Sequence, residues 1–144
     1  MYTPHTVTVY NVGEEDLVTF SQPINATVLR GVLLDAVKAV NVRASGLESA
    51  DSVNLYVPFA VEAFDAMTGA PRRFVEPKEY AAADDVSGLW TLDTEGCFFV
   101  KGEVAEVADF STINRRYDDV YNVTKVDKKD FGTPDMQHWE VGGA

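Results

Sequence analysis

Apolar and polar residues alternate along several stretches of the chain, and this alternation predicts β-strands. The clearest stretch covers residues 52–59, where Val53, Leu55, Val57 and Phe59 recur at every second position. Successive side chains of a strand point to opposite faces, so these four would share one apolar face. We therefore expect a strand with one buried side.

Further segments rich in β-branched and aromatic residues predict the remaining strands. They cover residues 6–12, 17–20, 74–80, 90–92, 97–101, 120–126 and 136–141. Pro77 inside segment 74–80 predicts an edge strand or a bulge there, because proline donates no ladder hydrogen bond. The four residues 93–96 give segments 90–92 and 97–101 the spacing of a hairpin. Residues 45–51 and 81–88 are typical of loops.

The segment 24–42 is ambiguous. Val28, Leu29, Val32 and Ala36 follow a helical spacing, yet Gly31 interrupts it and valines dominate. We favour a strand over residues 28–34, followed by an irregular or short second piece. A helix stays open as the alternative.

One short helix is predicted near residues 109–118. Asp109 or Ser111 could cap it, and Phe110, Ile113 and Tyr117 would share one face. Many short strands separated by turns, with one helix and extended loops, predict a mainly β fold: a small β-barrel or sandwich forming a single domain over residues 1–144.

Net charge narrows the classes of partner. The 144 residues include 23 acidic and 12 basic side chains, a formal charge of −11. Sequence-independent DNA binding depends on Lys and Arg, so the balance argues against a nucleic-acid clamp. A negative charge would suit a surface that lines a channel through which DNA passes without binding. No apolar run is long enough to span a bilayer, and the N-terminus shows no secretory signal.

Residues able to carry chemistry are few. His5 and His138 are the only imidazoles, and no phosphate loop or serine elbow is present. His138 and Glu140 would share a strand face, but two ligands are too few for a metal site, so a hydrogen-bonded or interfacial histidine is favoured. We predict no catalytic residues, metal or cofactor. Cys97 is expected to be a small buried hydrophobe, and Trp90 and Trp139 are expected in the core.

The basic pairs Arg72-Arg73 and Arg115-Arg116 could contact a partner's carboxylates. Together with His138 and Glu140 they form the candidate interface. Enzymatic activity would instead require His138 and Glu140 to line a concave pocket, and a cellular binding module would require one apolar cleft.

Four separated segments resemble small siphophage neck proteins. Residues 130–141, ending His-Trp-Glu-Val, resemble their closing strand, and residues 2–11 resemble their start. Residues 46–59 are similar to their central Ala-Asp-Ser-Val strand, and residues 100–102 match another recurrent piece. The four segments occur in the same order as in those proteins, and this shared order is stronger support for the resemblance than any single segment.

The resemblance implies a head-closure, or stopper, protein made in the bacterial host cytoplasm and located in the virion neck. Its fold would be a small β-barrel with extended loops. Its partners would be copies of itself in a ring (hexamer or dodecamer), an adaptor on the portal side, and a tail-terminator or tail-completion protein. Packaged double-stranded DNA would pass through without sequence-specific binding, and no membrane is involved.

Two acidic loops are the candidates to face the channel of such a ring. Their residues are Glu14, Glu15, Asp16, Asp84 and Asp85. A different virion subunit (tail completion, tail tube or capsid decoration) is the alternative function.

Overall fold

The computed structural model describes residues 2–14, 17–43 and 46–144, and side chains for all of these except residues 37–51. Its nine strands are β1 (His5–Val12), β2 (Ile24–Arg43), β3 (Gly46–Pro58), β4 (Glu62–Asp65), β5 (Arg73–Phe74), β6 (Leu89–Trp90), β7 (Cys97–Lys101), β8 (Val120–Lys129) and β9 (His138–Gly143). Two short helices, α1 (Pro77–Ala82) and α2 (Phe110–Arg116), and one 3₁₀ turn (Pro134–Met136) complete the elements.

Six strands close into a barrel. Their order is β1-β7-β8-β9-β3-β2, and pairing of β2 with β1 closes the ring. All of these pairings are antiparallel. β4 adds a seventh strand against β2, and the mainly β fold with a small barrel is confirmed.

Strand β2 bends at Gly31. His5 pairs with Val32 and Thr6 with Arg30, so Gly31 is an extra residue on the β2 side, with φ at 95°. This is a β-bulge at a glycine, the residue that adopts positive φ without strain. Beyond the bulge, β2 leaves β1, and the amide of Leu34 donates to His5 Nδ1 at 3.0 Å.

The far parts of β2 and β3 form a two-stranded ribbon. We use this name for residues 37–43 of β2 and 46–52 of β3, which pair from Val37 with Ser52 to Arg43 with Gly46. Among the described residues, β1 pairs with β2 only up to Val32, and β9 pairs with β3 only from Val53. The ribbon therefore continues past the barrel.

The barrel interior is filled with side chains. Its buried residues are Val7, Val9, Leu29, Val32, Leu34, Val53, Leu55, Val57, Trp90, Leu92, Cys97, Phe99, Tyr121, Val123, Trp139 and Val141. Even β9 must be small at one point, because a Cβ on Gly143 would approach Phe99 Cζ and Val53 Cγ2 to 2.9 Å. In the part of the chain that the structure describes, the interior is a packed core, as in other small barrels.

A second core lies outside the wall formed by β1 and β7. Tyr10 and Phe98 stack with ring centroids 4.6 Å apart, and Ile113 of α2 covers them in the same cluster. The connection 102–119, which carries α2, supplies this cover. Strand β1 is thus buried on both faces, which explains its nearly continuous run of buried residues.

The segment 66–92 closes one end of the barrel. Phe74 and Trp90 lie against Trp139, with centroid separations of 4.2 Å and 6.0 Å, and Phe59 packs on the same indole at 4.4 Å. Asn11 fixes the segment by donating to Thr91 O at 2.9 Å and accepting from Thr91 N at 3.2 Å. The core positions predicted for Trp90 and Trp139 are confirmed.

Several predicted elements are also confirmed. β1, β3, β8, β9 and α2 lie where the sequence placed strands and a helix, and Asp109 caps α2 by accepting from Thr112 N at 2.9 Å. The segment 24–42 is a strand rather than a helix, and longer than expected. Residues 46–51, predicted as a loop, are the first part of β3.

Two predicted strands and one predicted hairpin are wrong. Residues 17–20 form a turn with exposed side chains rather than a strand. Within 74–80 only Phe74 belongs to a strand, because Pro77 begins α1, a position where its missing N–H costs nothing. Segments 90–92 and 97–101 do not form a hairpin: β6 pairs in parallel with β5, and β7 lies between β1 and β8.

Candidate interaction site at the loop end of the barrel

Four connections lie at one end of the barrel, which we call the loop end. Val12 pairs with Ile24, Asn11 with Cys97, and Lys129 with His138, so the connections between or before these residues lie at the same end. They are residues 13–23, 91–96 and 130–137, joined by the turn 66–72 that follows β4. The N-terminal residues, the ribbon and the start of β8 lie at the opposite end.

Among the side chains that the structure describes, which do not include those of residues 37–51 at the opposite end, the large exposed apolar ones concentrate at the loop end. Six large hydrophobic residues of its connections are between 52% and 86% exposed: Leu17, Val18, Phe20, Met67, Phe131 and Met136. Elsewhere in the described residues the large exposed hydrophobics are Tyr2 and Val107. Clusters of exposed apolar side chains on a protein surface mark sites of interaction. The apolar residues within 17–20 are the feature of the sequence that points to this site, although their pattern predicts a strand.

The predicted acidic loops meet at this same end. Asn25, next to the first residue of β2, donates to Tyr80 Oη at 3.0 Å and to Val86 O at 2.8 Å, which holds residues 80–86 beside the loop 13–23. Glu14, Asp84 and Asp85 are exposed there. Glu15 and Asp16 lie outside the described residues. The structure therefore places Glu14 and the segment 80–86 at the same end of the barrel.

Asp85 is held in its charged form. Its Oδ1 accepts from Ser87 N at 3.0 Å, and hydrogen bonds from the Ser87 amide and hydroxyl lower the pKa of Asp85 below its usual value. The loop end thus keeps this negative charge at any pH near neutrality.

Arg72 is not the exposed basic group that its pairing with Arg73 suggested. Its side chain is only 4% exposed and its Nη2 lies 2.5 Å from Asp65 Oδ2. Its other nitrogens donate to Ala26 O, Thr27 Oγ1 and Ser87 O. Arg72 therefore joins β4, β2 and the segment 66–92 from inside and cannot offer its charge to a partner.

Asp65 is the charged partner of Arg72 in these contacts, which we call the Arg72 clamp. Burial alone would raise its pKa, but hydrogen bonds from the amides of Met67 and Thr68, together with the Arg72 guanidinium, outweigh burial and lower the pKa of Asp65. The carboxylate stays charged beside Arg72 through the neutral range, and the clamp weakens only in acid.

The other predicted arginines lie on two separate segments. Arg73 is exposed on β5, with Nη1 3.9 Å from Glu79 Oε2. Arg115 and Arg116 are exposed at the end of α2, where Arg116 pairs with Glu106. The structure does not gather the four arginines into one basic surface.

His138 and Glu140 lie side by side on β9, as their spacing predicted. His138 Nε2 is 3.7 Å from Glu140 Oε2, and its Nδ1 is 2.8 Å from Met136 O. Lys129 Nζ, on the neighbouring strand, is 3.8 Å from the same carboxylate oxygen. The pair belongs to a surface network that crosses from β9 to β8 near the loop 130–137.

Two grooves that the sequence did not reveal flank Thr94. One, of about 250 Å³, has Leu92, Val126 and Trp139 among its lining residues. The other, of about 520 Å³, includes Phe98, Phe110 and Val123. Both follow the part of β8 that has moved away from β7. Within the described residues no three His, Cys, Asp or Glu side chains gather to hold a metal ion. No helix of that part has the length and apolarity needed to cross a membrane.

The fold defines a small, filled, six-stranded antiparallel barrel with an added strand. Residues 2–144 match a family of unknown function, DUF6751, and the chain belongs to this family. No curated protein and no solved structure matches the chain.

Proposed function

We propose that this protein is a structural virion component of a tailed phage, a head-closure subunit that joins the capsid connector to the tail and helps to retain packaged DNA. The observation that carries the proposal is the polarity of the barrel. One end combines exposed apolar side chains with acidic loops, and the ribbon leaves from the other end.

The chemistry of the loop end supports a protein partner. Leu17 and Phe20 are largely exposed, and they would be buried by a neighbouring apolar surface. In the neck this neighbour would be the adaptor on the portal side or the tail-side protein.

The filled interior bears on where DNA would pass in a ring of copies. Since Phe99, Trp90 and Trp139 occupy the barrel, DNA would have to pass between copies in a ring rather than through one chain. The acidic loops would then repel phosphates along that passage, as predicted for Glu14–Asp16 and Asp84-Asp85.

Reconstitution on capsids tests the proposal. Purified protein would be mixed with DNA-filled capsids that carry their connector but lack the neck, and bound protein, DNA release and tail attachment would be measured. We expect binding, slower DNA release and restored tail attachment. Absence of binding to the connector, with the protein folded, would contradict the proposal.

A matched pair of variants tests the loop end itself. Phe20→Ser and Tyr2→Ser each remove an aromatic side chain that is 76% exposed, but at opposite ends of the barrel. We expect Phe20→Ser to weaken connector binding about tenfold, which corresponds to 1.4 kcal/mol, and Tyr2→Ser to leave it unchanged. Equal effects would remove the loop end from the interface.

Stacked hexamers that form without any connector would favour the alternative of a tail-tube subunit. Binding to the outer capsid lattice instead of the connector would favour a decoration protein.

A further inference from the structure

Strand β8 has an unpaired edge. It pairs with β7 only from Val120 to Asn122, whereas its pairing with β9 continues to Lys129. Among the described residues, none forms a backbone hydrogen bond with the outer side of residues 123–129. We call residues 123–129 the β8 edge. An exposed strand edge is a template for pairing with another chain.

Val126 and Lys128 direct their backbone groups outward along the β8 edge. The amide of Phe59 donates to Gln137 O at 3.1 Å, so the odd-numbered residues of β9 bond to β3 and the even-numbered ones bond to β8. Their partners on β8 are the odd-numbered residues from 125 to 129. The N–H and C=O groups of residues 126 and 128 are therefore available to another strand.

The charges of the β8 edge are balanced, although it carries three lysines. Each lysine has a carboxylate of its own chain as a neighbour. The pairs, with N–O distances of 2.9, 3.0 and 3.8 Å, are Lys125–Asp127, Lys128–Glu76 and Lys129–Glu140. An edge of this kind does not repel a second copy through net charge, so the register of the two strands decides whether they attract.

One antiparallel register of two copies sets opposite charges against each other. With Val126 opposite Val126 of the second copy, Lys125 faces the second copy's Asp127, and Asp127 faces its Lys125. The four charges then alternate in sign around the centre of the contact. The neighbouring registers that keep the same faces together place Lys125 against Lys125 or Asp127 against Asp127, and like charges directly opposite each other are destabilising.

The other face of this pairing is apolar. Val126 lines a groove whose lining also includes Leu92 and Trp139. In the register described, the Cβ atoms of the two Val126 residues lie about 5 Å apart, so the second valine covers the same apolar surface. Pairing therefore adds apolar burial to the backbone hydrogen bonds and the two Lys–Asp contacts.

We propose that two copies of this chain associate through their β8 edges, antiparallel and about a two-fold axis at Val126. Both copies use the same surface, so the contact is complete with two chains. A neck ring is built from two different surfaces of each copy, so the pair is the form of the free protein. The inference thus goes beyond the proposed function and does not rest on it.

Exchanging the two charges tests the register. Lys125→Glu sets carboxylates against each other at both Lys–Asp contacts, and we expect it to weaken association about tenfold in sedimentation equilibrium. Adding Asp127→Lys to the same chain restores the alternation with the signs reversed, and should return association to within about twofold of the parent. Lys101→Glu, at an exposed site at the opposite end of the barrel, is the control and should leave association unchanged.

Cysteine cross-linking gives a second measurement. In a mixture of Lys125→Cys and Asp127→Cys chains the two cysteines are directly opposite, whereas two copies of either variant place them two residues out of register and beyond the reach of a disulfide. We expect the mixed disulfide to form roughly tenfold faster than either symmetric one. The native thiol does not compete, since Cys97 is buried and burial raises its pKa to about 12.

Equal rates for the mixed and symmetric disulfides would overturn the inference. A double variant that associates as weakly as Lys125→Glu would do the same, as would a parent chain that keeps the mass of one chain up to about 1 mM. Binding to capsid connectors is measured separately, so either proposal can fail while the other stands.

Discussion

The barrel interior and the core beneath the connection 102–119 are both apolar, but they are enclosed in different ways. The interior, around Phe99 and Leu55, is surrounded by six hydrogen-bonded strands. The outer core, around Phe98 and Ile113, is covered by a connection whose only regular element is the seven-residue α2. Opening the first requires breaking the sheet, whereas the second can open by lifting one segment.

Polar contacts fasten the cover in the outer core. Thr8 Oγ1 donates to Gly102 O at 2.8 Å and accepts from Val104 N at 2.9 Å, and Tyr10 Oη donates to Glu106 O at 2.6 Å. Burial, then the nearby Tyr117 and Glu106, raise the pKa of Tyr10, so its phenol keeps the proton it donates. The comparison predicts global unfolding for damage to the interior and local opening for damage to the cover.

The largest effect is expected for Phe99→Ala. The side chain is completely buried in the interior, and its removal leaves a cavity that the closed wall cannot fill. We expect a loss of about 4 kcal/mol in the free energy of unfolding, measured by denaturant titration. Phe131→Ala, at a site that is 71% exposed, is the control and should change stability by less than about 0.5 kcal/mol.

Ile113→Ala should cost about 3 kcal/mol, but with a different signature. Ile113 is fully buried beneath the connection, so hydrogen exchange should accelerate for the amides of residues 102–119 and hardly for β3 and β9. Uniform acceleration across the barrel strands would show that the two cores open together and would contradict the comparison.

The contact between Arg72 and Asp65, which holds the segment 66–92, should make the stability of the protein depend on pH. Asp65→Asn removes the charge facing Arg72, and we expect a loss of about 2 kcal/mol at neutral pH. Because the folded pKa of Asp65 is lowered, its stabilisation is complete above the unfolded pKa, near 4, and is lost as the pH falls.

The stability difference between the parent and Asp65→Asn should therefore shrink in acid titrations below about pH 4. Asp118→Asn, at an exposed site, is the matched control. A difference that stays constant with pH would exclude the charge as its source.

The smallest effect is expected for Thr8→Val, which keeps the shape of the side chain but removes both of its hydrogen bonds to the cover. We expect a loss of about 1 kcal/mol, with faster exchange at Val104. Unchanged exchange at that amide would show that the hydrogen bonds of Thr8 do not hold the cover in place.

The sequence predicted the elements whose patterns reflect one local environment. Val53, Leu55 and Val57 alternate because one face of β3 meets the core, and Asp109 caps α2 through a contact three residues away. Such signals need no knowledge of distant segments, which is why β3 and α2 could be located.

The bulge explains why β2 was ambiguous. Leu29 before Gly31 and Val32 after it both face the interior, so the inward positions are three apart at the bulge and two apart elsewhere. A spacing of three within an apolar run is the spacing of a helix. One extra residue in a strand therefore imitated a helical pattern.

Contacts between distant segments determine which side chains of the site are exposed and which are buried, and the sequence alone did not predict this. Leu17, Val18 and Phe20 are apolar but exposed, and Arg72 is charged but buried against Asp65. Both cases reverse the usual relation between residue type and burial. The sequence likewise did not predict that β8 leaves β7 after Asn122, because this depends on β7 beginning only at Cys97.

The extra residue at Gly31 also restricts how this strand can change in length. Deleting the extra residue would restore regular alternation and leave Val32 and Leu34 facing inward, whereas deleting two residues between Leu29 and Val32 would turn them outward. A relative that lacks the bulge should therefore be shorter by one residue at this point, and should no longer need a glycine there.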